Sequence, residues 1–190
     1  MKDDLVLLVV GSGGREFAVA KKLKESPHVK TVYCAPGNVG MQTIGVETVP
    51  IEETDLDGLL DFAQSKHVDW TFVGPENVLC AGITDKFNEA GQKIFGPNQR
   101  AAQLEGSKDY ALRFMSKYNI PTARYETYAS AETCIAGLKN FDYPVVIKED
   151  GLAGGKGVTI AQNQDVAEET IREMFAGGQT AVVLEECLVG

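Results

Sequence analysis

The chain has 190 residues, of which 44% are hydrophobic and 24% charged, the balance of a soluble globular protein with room for one large domain or two small ones. That composition excludes a disordered tail, a collagen-like chain and a disulfide-dense miniprotein. Eighteen lysines and arginines stand against 27 aspartates and glutamates, a net charge of −9. General binding of nucleic acid or of an anionic membrane is therefore not expected, and an anionic ligand must be held locally by loops and single cations.

Strand and helix alternate over the first hundred residues. Leu5–Val10 is a continuous apolar run ending at a glycine, as in a buried parallel strand. Glu16–Lys24 places Phe17, Ala20 and Leu23 on one helical face. Lys30–Ala35 predicts a second strand, closed by Pro36-Gly37-Asn38, and a third falls near Gly45–Val49. A helix over Thr54–Lys66, a strand over Asp69–Val73, a helix over Ala81–Ala90 and a short strand at Lys93–Phe95 follow. This is the pattern of a small doubly wound α/β unit. After Gly96-Pro97-Asn98 the character changes. Gln99–Tyr118 predicts helix with a break near Gly106, and Ala129–Asn140 predicts another. Tyr143–Glu149, Val158–Ala161 and Thr180–Glu185 predict strands, and Asp165–Phe175 a helix, together a compact α+β module over about 123–186. With nothing to pair Leu188-Val189-Gly190 after the last strand, the sequence reads as a truncation.

Cys34, Cys80, Cys134 and Cys187 stand far apart without a CxxC, and His28 and His67 have no metal-site spacing. Buried free thiols in a reducing compartment are expected. Met1-Lys2-Asp3-Asp4 is too acidic, and Leu5–Val10 too short, for a secretion signal. No apolar run approaches membrane-spanning length, so the expected setting is cytoplasmic, with no membrane partner.

Two glycine-rich loops carry the chemistry. Gly11-Ser12-Gly13-Gly14-Arg15-Glu16 joins the first strand to the first helix, where backbone N–H groups can approach a phosphate at a helix amino end. A dinucleotide fingerprint fails twice, because Glu16 stands where its third glycine belongs and Ala35-Pro36-Gly37-Asn38 lacks the ribose-binding acid. A phosphate-bearing metabolite clamped by Arg15 fits better; a glycine turn serving only strand-to-helix packing is the other reading. Gly74-Pro75-Glu76-Asn77 lies at the same sheet edge, where Glu76 can accept from sugar hydroxyls or an amine, or merely sit at a helix amino end. In the second region, Lys148 ends an otherwise apolar strand, which is costly unless it meets an anion. Gly151-Leu152-Ala153-Gly154-Gly155-Lys156-Gly157 then has the composition of a mobile flap over a polyphosphate, or of a hairpin turn with a surface lysine. It is not a Walker A loop, since Asp150 and Gly157 occupy positions that need a glycine and a hydroxyl. The connector after Val182–Leu184 can read an adenine edge through its backbone or be plain buried strand.

In order along the chain, these motifs resemble the ATP-grasp ligases, and among them the phosphoribosylamine–glycine ligases (glycinamide ribonucleotide synthetases) of purine biosynthesis. The resemblance is carried by Val9–Glu16, Ala35–Asn38, Val73–Glu76, Ile94–Pro97, Leu104–Lys108, Asn119–Ala123, Val146–Lys148, Gly151–Gly157 and Leu184–Gly190. It implies a Rossmann-like (pre-ATP-grasp) doubly wound parallel sheet over 1–98 that binds substrate. The helical start of the ATP-grasp core would follow over 99–122, its α+β lid subdomain over 123–186, and a hinge from 187–190. It implies a phosphoribosylamine pocket of Gly11, Gly13, Gly14, Arg15, Glu16, Gly37, Asn38, Pro75 and Glu76. ATP would be held by Lys108 and Lys148, by the lid residues Gly151, Gly154, Gly155, Lys156 and Gly157, and by Glu185, Glu186 and Leu188 at adenine.

The implied reaction joins glycine to 5-phosphoribosylamine at the expense of ATP through glycyl phosphate, with lysines and Mg²⁺ (or Mn²⁺) neutralising phosphate charge. The implied partners are these small molecules alone, and the implied state is a monomer. The family's metal ligands, ribose-binding acid and carboxyl-terminal domain would lie past Gly190, leaving this chain catalytically incomplete. Phe17, Asn77, Gly154 and Cys187 depart from the family's usual histidine, alanine, alanine and phenylalanine. Two other readings are a sister ATP-grasp ligase or carboxylase of purine metabolism, and a non-catalytic module binding a nucleotide or sugar phosphate.

Overall fold

The computed structural model describes residues 3–189; Met1, Lys2 and Gly190, and with them parts of the acidic amino-terminal motif and of the hinge segment, lie outside the described residues. The chain divides into two compact units, Met1–Ala102 and Gln103–Gly190.

In the first unit, β1 (Leu5–Gly11) leads to α1 (Gly14–Lys24), β2 (Val29–Pro36), α2 (Val39–Gln42) and β3 (Glu47–Thr48). Then come α3 (Leu56–Ser65), β4 (Trp70–Val73), α4 (Glu76–Cys80), α5 (Ile83–Glu89) and β5 (Ile94–Phe95), with α6 (Gln99–Gly106) spanning the division. The strands form one sheet in the order β3-β2-β1-β4-β5, and every pairing is parallel. β1 is buried on both faces, which is why its sequence is continuously apolar rather than alternating. Leu8 and Val10 pack with Leu59, Ala63, Val78, Ile83 and Phe87 on one side. Val9 packs with Ala20, Val32, Cys34, Met41 and Val46 on the other. The order reverses between β1 and β4, so the carboxyl ends of these two strands frame the crevice where open α/β sheets take their ligands.

The predicted helix over Ala81–Ala90 is corrected to two helices. α4 starts at Glu76, and Gly82, at φ +91°, separates it from α5. α2 was not predicted either; it exists because Asn38 caps it, its side chain accepting from Gly40 N.

The second unit contains α7 (Lys108–Lys117), β6 (Tyr125–Tyr128), α8 (Ala131–Gly137), β7 (Val145–Glu149), β8 (Val158–Ala161), α9 (Gln164–Ala176) and β9 (Val182–Glu186). Its antiparallel sheet runs β6-β9-β7-β8. Val145, Ile147, Val182 and Leu184 pack with Cys134 of α8 and with Ala167, Ile171 and Met174 of α9. The expected break in the long helix falls at Ser107, whose hydroxyl caps α7 by accepting from Tyr110 N at 3.1 Å. β6 is an element the sequence reading lacks. Among the described residues no helix is long and apolar enough to cross a membrane.

Candidate functional site

Three loops of the first unit converge at the carboxyl edge of its sheet. Gly74 N donates to Val10 O at 3.1 Å, and Gly37 N donates to Gly11 O at 3.1 Å. The Asn38 side chain donates to Ser12 O at 2.8 Å. The loops holding Gly11–Gly14, Gly37–Asn38 and Pro75–Glu76 are thus tied into one cluster, although they are far apart in sequence. Gly11 has φ +125°, a conformation that favours glycine. α1 begins at Gly14 with Gly13 as its cap, aiming a helix amino end at the same edge.

The polar side chains divide into exposed and buried members. Arg15 is 60% exposed, with its guanidinium 3.6 Å from Glu76, itself 44% exposed. Hydrogen bonding to Glu16 is the main cause that raises the Arg15 pKa above its ordinary value. Glu16 lies beneath the loop at 3% exposure. Asn38 is spent as a brace between the first two loops and as the cap of α2.

In the second unit, Lys148 Nζ lies 2.6 Å from the Glu185 carboxylate, so the anion that this lysine meets belongs to the protein. The register explains the pairing. Lys148 and Val146 of β7 face Val183 and Glu185 of β9, on the side of the sheet opposite α8 and α9. Lys108 Nζ donates to Gly151 O at 2.8 Å. Asp150, at the root of the loop, accepts from Ser107 Oγ at 3.1 Å and from Asp109 N at 3.2 Å, which anchors the loop to the amino end of α7.

Gly151, Gly154 and Gly155 all have positive φ, and a Cβ on any of them would meet open space. Glycine at these positions answers a backbone conformation rather than a close neighbour. Lys156 lines a polar cavity of about 250 Å³ with Glu149, Thr159, Thr170 and Glu173, on the α9 side of the sheet and away from Lys148. The Glu186 N–H donates to Arg124 O at 2.9 Å, and the Glu186 carboxylate accepts from Arg124 N at 2.7 Å. That amide is occupied by the β6 end of the sheet. Leu188 is 69% exposed.

Two family models cover the chain in succession: the N domain of phosphoribosylglycinamide synthetase over residues 5–105 and its ATP-grasp (A) domain over residues 106–190. The chain belongs to the phosphoribosylglycinamide synthetase family. The phosphoribosylamine–glycine ligase of Lactococcus lactis is 50% identical over 184 residues, covering 97% of this chain and 45% of that protein. The crystal structure of the Thermotoga maritima phosphoribosylamine–glycine ligase matches with a TM-score of 0.75 at 32% identity, over 98% of this chain and 44% of that one. The biotin carboxylase domain of the Hydrogenobacter thermophilus 2-oxoglutarate carboxylase, solved with MgADP, ADP and bicarbonate, shares the fold at a TM-score of 0.78 and 15% identity. It aligns over 99% of this chain and 45% of that one. The chain spans about half the length of the curated relatives it matches.

Two of the four residues expected to depart from the family pattern, Phe17 and Asn77, have local partners. Phe17 packs against the cluster around Met41 and Val46. Asn77 donates to Glu53 at 3.2 Å. Gly154 takes φ +55° in the exposed part of the glycine loop. Of the cysteines expected to be buried, Cys34 and Cys134 are, with burial pushing both thiols up to about 12. The correction concerns Cys80 and Cys187, which are half-buried, with Cys80 donating to Ala102 O.

Proposed function

We propose that this chain supplies the 5-phosphoribosylamine pocket and the nucleotide lid for the ATP-dependent joining of glycine to 5-phosphoribosylamine. The products are glycinamide ribonucleotide, ADP and phosphate, and glycyl phosphate is the intermediate. The unbroken match of one ligase family across both units carries this reading.

In the first unit, the α1 amino end with Gly11, Gly14 and Arg15 faces the ribosyl phosphate, Gly13 shapes the loop beneath it through its bond to Glu16, Gly37–Asn38 frames it, and Pro75–Glu76 lies toward the sugar hydroxyls and the amine. Their convergence at the switch point of the sheet supports the assignment. In the second unit, Lys148 and Lys108 exchange Glu185 and Gly151 O for ATP phosphates, while Gly151–Gly157, Lys156 included, closes over them and excludes water. Glu185, Glu186 and Leu188 border the adenine; because the Glu186 N–H is occupied, Glu186 serves the base through its carbonyl. The cofactor is ATP with Mg²⁺ or Mn²⁺, the metal supplying charge neutralisation at the phosphates. Among the described residues no group of three or more His, Cys, Asp or Glu stands close enough to hold an ion. A monomer working in the cytoplasm on these small molecules completes the reading.

Calorimetric titration of the chain tests it. Mg-ATP and ribose 5-phosphate, a stable stand-in for the ribosylamine, each bind, and saturation with one does not abolish binding of the other. Each ligand raises the melting temperature as its concentration rises through Kd. No ADP is released, because the chain binds both ligands without completing the reaction. Heat from NADH instead, or from neither ligand, contradicts the proposal.

A further inference from the structure

We propose that Glu16 is a positioning residue for the sugar-phosphate site: it touches no ligand, and acts by holding Arg15 and the Gly13 amide from beneath the first glycine loop. The inference rests on the reading of the first unit as a ribosyl-phosphate site.

Glu16 is 3% exposed and occupies the third position of α1. One carboxylate oxygen accepts from Gly13 N at 2.8 Å and the other from Arg15 Nε at 2.8 Å. A buried carboxylate is costly unless its oxygens are paired, and here each oxygen has a donor. The surrounding glycines give the second observation. A Cβ at Gly11 would lie 2.7 Å from Glu16 Cγ, and one at Gly13 would lie 2.8 Å from Glu16 Oε2. A Cβ at Gly74 would run into the Glu16 carboxylate itself. Neither Gly13 nor Gly74 has a positive φ, so backbone conformation does not call for glycine there. Glycines in such loops are ordinarily read as room for a phosphate. At Gly13 and Gly74 they make room for a protein carboxylate.

The consequence falls on Arg15. With Nε fixed by Glu16, the guanidinium is oriented before ligand arrives and its Nη groups remain for the phosphate, one of them 3.6 Å from Glu76. A preordered arginine spends less side-chain entropy on binding. Glu16 is no phosphate ligand itself, because two anions in contact repel. The Gly13 amide, bonded to Glu16, is likewise committed to the loop.

The test compares the chain with Glu16→Gln, Arg15→Ala and the double variant, using ribose 5-phosphate as the probe and ¹⁵N NMR of the Arg15 Nε–H. The Nε–H should exchange slowly with water in the parent chain and rapidly in E16Q. Removing a charge-assisted hydrogen bond should weaken ribose 5-phosphate binding about tenfold. Affinity for Mg-ATP should stay unchanged, and E16Q should add nothing in the R15A background. Gly74→Ala, which keeps the charge but crowds the carboxylate, should reproduce both effects. The proposal is overturned if the Nε–H is indifferent to E16Q, if the two substitutions act additively, or if Mg-ATP affinity falls in parallel. A parent chain that ignores ribose 5-phosphate while its Nε–H responds to E16Q refutes the sugar-phosphate reading and leaves Glu16 established as the clamp on Arg15.

Discussion

Lys148 and Glu185 form an ion pair that is half closed to water, with side chains 26% and 9% exposed. Removing one partner of such a pair strands the other, whereas replacing both with apolar groups of similar size does not. Lys148→Met should therefore cost about 2 kcal/mol of folding stability, and Lys148→Met with Glu185→Leu should recover most of it. Urea denaturation measures both, and a single variant as stable as the parent would contradict the pairing. Both variants should bind Mg-ATP more weakly, because the cation proposed to meet phosphate is gone in each. The sequence made the need for an anion legible, since a lysine ends an apolar strand. It could not say that Glu185 answers that need in the unliganded chain, because only the β7–β9 register brings the two together. Glu16 is a similar case. Its place in the first motif was legible, but its burial under Gly74 depends on a loop about sixty residues away.

At the scale of elements, Gly137 ends α8 against the Tyr128 side chain of β6. Tyr128 donates to Glu126, and Asn140 also donates to Glu126 at 2.9 Å. A Cβ on Gly137 would enter the Tyr128 hydroxyl. Gly137→Ala should cost about 2 kcal/mol through overpacking, and Tyr128→Phe should relieve part of it. An unchanged melting temperature for the alanine variant would show that α8 is not seated on β6 through this contact. Elements with a buried apolar run, such as β1, β7 and β9, were legible to within a residue or two. β6 was not, because Tyr125–Tyr128 is half-buried throughout and shows no alternation. α2 and α4 are four and five residues long, too short for a helical period to register. What defines them is a capping side chain at Asn38, and for α4 a start at Pro75 and a stop at the Gly82 turn, features of loops rather than of hydrophobic pattern.

The whole molecule is two units, one built around a parallel sheet and one around an antiparallel sheet. Each carries one of the two glycine loops of the proposed site, and each is matched in the main by one of the two family models. The chain spans 45% of the length of its Lactococcus lactis relative, so the proposed turnover is tested at full length. The most direct measurement fuses this chain to the remaining segment of that relative and follows ADP release with Mg-ATP. Glycine and phosphoribosylamine, the latter generated from ribose 5-phosphate and ammonia, are omitted one at a time. ADP is expected only when both are present, with a large loss when Lys148→Met is introduced into the fusion. ADP release that needs bicarbonate or formate in place of glycine, or that ignores phosphoribosylamine, would contradict the proposed reaction.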